Sequence, residues 1–101
     1  MKYQLSLRRL AVEDLAQAED FYARAQEGLD RKFGDAVARM FDRIADNPQR
    51  YPPSEKSPFR KAVMSDFLFC IYYCVVKSTV VIIAVHHAKR DPSNWRDRAS
   101  S

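Results

Sequence analysis

The 101 residues include only two glycines, two cysteines and one tryptophan, and the longest unbroken apolar run, residues 67–76, is ten residues. Each shortage excludes something. A run of that length cannot cross a bilayer as a helix, which needs about 20 residues. Met1-Lys2-Tyr3-Gln4-Leu5-Ser6 lacks the apolar centre and small-residue cleavage site of a secretory signal, so a soluble cytoplasmic product is expected. So few glycines leave no phosphate-cradling loop, and no paired catalytic carboxylates or metal-ligand cluster stands in their place. No cofactor or metal is expected. Cys70 and Cys74 are four apart in a strand-like run, on one face but too far apart to bond. They read as small buried hydrophobes in a reducing compartment.

What is present describes one folding unit. A length of 101 residues suits one core, so residues 1–101 are expected to form one domain. Apolar residues make up 47% and charged residues 30%, which excludes disordered and low-complexity classes. The formal charge of +4 is uneven: residues 1–47 carry 8 basic and 9 acidic groups, and residues 48–101 carry 9 and 4. A positive second half favours an anionic partner, nucleic acid or acidic protein.

Residues 2–9 alternate, with Tyr3, Leu5 and Leu7 on one side, as in a half-buried strand. From Ala11 the period changes. Ala11, Leu15, Ala18, Tyr22, Ala25 and Leu29 draw an apolar helical stripe that Val12, Ala16 and Phe21 widen. Gly28 breaks it, and Asp30 is the expected N-cap of a second helix with Phe33, Val37, Met40 and Ile44 on one face and Asn47-Pro48 at its end. The outer faces, including Glu13, Asp14, Glu19 and Asp20 on the first helix and Arg31, Lys32, Arg39 and Arg43 on the second, are expected to be solvated. After a proline-rich connector over 47–58, strands are expected at 59–64, 67–76 and 79–86, with Lys77-Ser78 as a hairpin turn. The expected fold is therefore α+β, in the order β-α-α-β-β-β, with a helical hairpin on one face of a small, mainly antiparallel sheet. The other face has little in the chain to cover it and is expected to serve as a docking surface.

Several local motifs then converge. They are Ala11-Val12-Glu13-Asp14-Leu15, Asp20-Phe21-Tyr22, Asp46-Asn47-Pro48, the aromatic strand Phe67-Leu68-Phe69-Cys70-Ile71-Tyr72-Tyr73, the strand Val80-Val81-Ile82-Ile83-Ala84-Val85, and the tail from His86-His87 to Trp95. In these motifs and their order the chain resembles the RelE/ParE toxins of bacterial type II toxin–antitoxin systems, closest to the ParE-like, plasmid-stabilisation branch. The family often has Phe-Pro-Tyr where this chain has Phe67-Leu68-Phe69, and Arg60-Lys61 only loosely follows the basic strand of the ribonuclease members. The resemblance implies a toxin that binds a macromolecular target, DNA gyrase, and is neutralised by a cognate antitoxin through an acidic or amphipathic segment. It allows a homodimer or a heterotetramer with the antitoxin. A RelE-like endoribonuclease acting on messenger RNA at the ribosome, or a non-toxic binding module, are the alternatives.

Arg60, Lys61, Lys89, Arg90 and Trp95 are the expected partner contacts. Arg60 and Lys61 point opposite ways on a strand, so edge protection explains them equally well. Trp95 either anchors a partner or folds back onto the core. A nuclease would draw its base or acid from His86 or His87, with Tyr72 or Tyr73 as a further donor and its cations from Arg60, Lys61, Lys89 and Arg90. Alternation puts the two histidines on opposite faces, so only one can join a site, and a packing role competes with catalysis.

Overall fold

Residues 2–54 and 59–88 are described by the computed structural model. The first strand, β1 (Gln4–Leu7), is shorter than its alternation suggested, because Arg8 leaves the ladder after donating its amide to the Ile82 carbonyl at 3.0 Å. Arg8 is extended, and its carbonyl accepts from the amides of Ala11 and Val12, so α1 (Arg9–Ala25) starts two residues before the apolar stripe. Gly28 then takes φ 84, a left-handed conformation that costs glycine nothing and other residues about 1 kcal/mol or more. That turn starts α2 (Leu29–Asp46) directly. Asp30 is consequently not its N-cap, as the sequence suggested; it lies in the first turn, where its charge complements the helix dipole. Pro48 follows at the start of a short 3-10 turn.

The remaining strands are β2 (Arg60–Val63), β3 (Phe69–Val76) and β4 (Thr79–His87), in the spatial order β1-β4-β3-β2. β2, β3 and β4 pair antiparallel, but β1 runs parallel to β4, with Gln4 opposite Thr79 and Leu7 opposite Ile82. The sheet is thus mixed. Lys77, at φ 57, supplies the positive φ that a tight hairpin turn favours. Tyr73 pairs with Ile82 and Tyr72 with Ala84, leaving Ile83 as the extra residue of a β-bulge. The bulge reverses the alternation. Val80, Ile82 and Val85 therefore belong to the core under the helices, while Ile83 and Ala84 both join the opposite cluster.

The main core places Ala11 and Ala18 of α1 and Phe33, Val37, Met40 and Ile44 of α2 against Ile71, Tyr73, Val80 and Ile82. Tyr22, Phe33, Phe67 and Phe69 interlock with ring centroids 5.0 to 6.1 Å apart. Such pairs add about 0.5–1.5 kcal/mol each beyond their area. Val12 and Phe21, expected to widen the stripe, are instead 50% and 64% exposed. The second face is not open either. Phe59, Cys70, Tyr72, Ile83 and Ala84 form a cluster there, each buried.

Candidate partner-binding site

β2 carries the first two candidate residues on an edge of the sheet, and its register separates them. Arg60 lies opposite Tyr73 and Lys61 opposite Tyr72, on opposite faces. The Arg60 guanidinium donates to the Tyr51 carbonyl at 2.7 Å, and the Tyr73 hydroxyl donates to the Pro48 carbonyl at 2.6 Å. Both bonds clamp the 48–54 segment beside the sheet. Burial pushes the Tyr73 phenol up to about 12; Arg60 works against the rise and Tyr51 adds to it. Arg60 is thus an anchor of the fold first, and Tyr73 a buried, protonated donor.

Lys61 faces the second cluster. Burial pushes the Cys70 thiol up, with Lys61 pulling the other way, and it pushes the Cys74 thiol up against an opposing pull from Arg8. Both cysteines are free thiols. Tyr72 is 2% exposed in this cluster.

The histidines separate as the alternation requires, though the bulge exchanges their sides. His86 pairs with Cys70 and His87 with Phe69, whose ring it meets edge-on at 5.6 Å. β4 outruns β1, which stops opposite Ile82. Asp14 of α1 fills the gap: its Oδ2 accepts the Val85 amide at 3.1 Å and lies 3.1 Å from His86 Nε2. The two side chains are 5% and 10% exposed. Asp14 therefore departs from the solvated outer face assigned to it and holds the strand edge, with His86 buried beside it. An open cavity of about 200 Å³ beside them is also lined by Phe21, Phe69 and His87.

Lys89, Arg90 and Trp95 lie outside the described residues. Among the described residues no group of three His, Cys, Asp or Glu could hold a metal, and no helix is long and apolar enough to cross a membrane. Two features escaped the sequence reading. Asp14 was detectable in principle, being three residues after Ala11 and four before Ala18, on the border of the apolar stripe. The groove beside Arg39 and Arg43 needed the β2–β3 connection in place, which no helical periodicity reveals.

Comparison with known proteins agrees with this architecture. No curated protein is significantly similar to the chain in sequence. A chain from a structure described as the chromosomal ParDE TA system from P. aeruginosa superposes with a TM-score of 0.73 at 18% identity, over 85% of this chain and 96% of that one. The E. coli toxin RelE, as a mutant with two arginines replaced by alanine and in the free state, superposes with a TM-score of 0.58 at 12% identity, over 99% and 93%. At such identities both show a shared fold. The family model for the ParE toxin of the type II toxin–antitoxin system parDE matches residues 5–92, from β1 to beyond β4, and the chain belongs to that family.

Proposed function

We propose that the chain acts as a toxin by binding proteins rather than by cutting RNA: it engages DNA gyrase and is neutralised by a cognate antitoxin. The supporting observation is that the described groups cleavage would draw on do not converge: His86 is 5% exposed beside Asp14, Tyr72 is buried, Arg60 is bonded to the Tyr51 carbonyl on the face opposite Lys61, and of the two histidines His87 is the exposed one. In-line cleavage needs a base, an acid and cations around one phosphate. The ParE family match points the same way, and gyrase is the target that membership in this family implies. Lys61, Lys89, Arg90 and Trp95 are the proposed partner contacts, with Arg60 contributing through the segment it clamps. The test pairs two assays on the purified chain: supercoiling by gyrase, and cleavage of message on ribosomes. Inhibited supercoiling with intact message supports the reading. Cleavage abolished by His86→Ala or His87→Ala, with unaffected supercoiling, replaces it with the nuclease.

A further inference from the structure

Five side chains on the face of the sheet turned away from the helices are sealed from solvent: Phe59 is 6% exposed, Cys70 1%, Tyr72 2%, Ile83 2% and Ala84 0%. This cluster, with the partly buried Cys74, Val81 and Ala88 around it, comes from the strands and their immediate flanks, and includes no residue of α1 or α2. A single layer of sheet cannot seal its own outer face, because the side chains stand side by side and leave their tips to water. Something therefore covers them. The cover is narrow, since Val63 and Val76, on the margins of the same face by alternation, are 57% and 54% exposed.

Met1 aside, residues 55–58 and 89–101 are the parts of the chain available as cover. The first stretch is four residues long, and its ends are tied at the edge of β2, where the Ser54 amide donates to the Phe59 carbonyl at 2.8 Å. A loop so short cannot reach Ile83, two strands away and about 10 Å across the sheet. Residues 89–101 start from the right place. The Ala88 amide donates to the Leu68 carbonyl at 2.8 Å and Ala88 packs against the buried cluster, so the chain leaves β4 on this face. Tyr72 pairs with Ala84, four positions before Ala88 and about 13 Å back along the strand. Residues 89–95 can reach about 23 Å, and Asp91-Pro92 suits a reversal. The apolar residues of 89–101 are Pro92, Trp95 and Ala99, so Trp95 alone is large enough to close a patch made by Phe59, Tyr72 and Ile83.

We propose that residues 89–101 strap this face of the sheet, with Trp95 seated on Phe59, Tyr72 and Ile83. The strap sets Lys89 and Arg90 on the face that Lys61 occupies, so the proposed contact residues form one surface anchored by Trp95. That consequence rests on the proposed function; the seat does not. Trp95 is the chain's one tryptophan, so its fluorescence reports the seat directly. In the folded full chain at low concentration, emission is expected to be blue-shifted from that of the urea-unfolded chain, and acrylamide should quench it severalfold more slowly than N-acetyltryptophanamide. Phe59→Ala and Ile83→Ala should each shift emission to the red and speed quenching, while Val76→Ala, on the exposed margin, should leave both unchanged. Trp95→Ala should raise the unfolding constant about tenfold or more, and should let Cys70 react with a thiol reagent severalfold faster than the chain unfolds. Circular dichroism shows which variants are folded; should both seat variants unfold, quenching in the parent and Cys70 reactivity in Trp95→Ala decide the question. Emission and quenching equal to those of the unfolded chain overturn the strap. Shielding that survives both seat variants overturns the seat, and its loss in Phe21→Ala then moves Trp95 to the cavity beside α1. Shielding lost on dilution overturns the strap in favour of a second copy. A shielded Trp95 with gyrase inhibition unchanged by Lys89→Glu with Arg90→Glu refutes the shared surface alone, and an exposed Trp95 in a chain that inhibits gyrase refutes the strap alone.

Discussion

Replacing Asp14 by alanine removes the carboxylate oxygen that accepts the Val85 amide at 3.1 Å and lies 3.1 Å from His86 Nε2, the latter without hydrogen-bond geometry. The side chains involved are 5% and 10% exposed, so water replaces the lost acceptor only in part. A buried donor left without its acceptor costs about 1–3 kcal/mol, so the lost bond to the Val85 amide gives a loss of about that size. For a domain of about 100 residues, whose total stability is roughly 5–15 kcal/mol, that lowers the melting temperature by about 5–20 °C. Asp14→Asn keeps an acceptor oxygen and should lose about half as much. Glu13→Ala, at the exposed neighbouring position, should stay within about 0.5 kcal/mol of the parent. Urea unfolding followed by circular dichroism measures the stabilities, and hydrogen exchange at the Val85 amide reports the edge contact itself. An Asp14→Ala chain within about 0.5 kcal/mol of the parent, with Val85 equally protected, would return Asp14 to the solvated face.

Three further outcomes follow from the same geometry. Between about pH 10 and 12 the unfolded chain loses the Tyr73 proton while the folded chain keeps it, so stability should fall with rising pH by about 2 kcal/mol across that window. Tyr73→Phe should flatten this alkaline slope in pH-dependent urea titrations, while losing about 1 kcal/mol at neutral pH with the bond to the Pro48 carbonyl. Gly28→Ala forces a side chain into φ 84 and should destabilise the chain by about 1–2 kcal/mol, read as a lower urea midpoint with an unchanged slope, although nothing within 4 Å obstructs the added carbon. Cys70, 1% exposed and with its thiol pushed up by burial, should react with a thiol reagent only at the rate of unfolding, and Cys74, half-buried, should react first.

Much of the fold was legible because its determinants are local. Ala11, Ala18, Phe33, Val37, Met40 and Ile44 fall on helical stripes, and Lys77-Ser78 separates two strand-like runs. What was not legible depends on partners far apart in sequence. The parallel pairing of Gln4 with Thr79 leaves no trace in the alternation of either strand, since period two is shared by parallel and antiparallel ladders. The bulge at Ile83 places His86 opposite Cys70, and uninterrupted alternation would have grouped His86 with Val80 and Ile82 under the helices. The second face looked uncovered because its burial is a tertiary property, yet Tyr72 and Ile83 are each 2% exposed. At the candidate site, the opposed directions of Arg60 and Lys61 were readable from strand geometry. The bond from Arg60 to the Tyr51 carbonyl, and Asp14 reaching across 71 positions to Val85, were not.

The proposed action of this ParE-family chain, by contact and not by catalysis, is tested by a titration of gyrase supercoiling with the purified chain, with ribosome-bound message present in the same reaction. Supercoiling should be lost as the chain approaches equivalence with gyrase while the message stays full length. Supercoiling that persists while a catalytic trace of the chain shortens the message would contradict it.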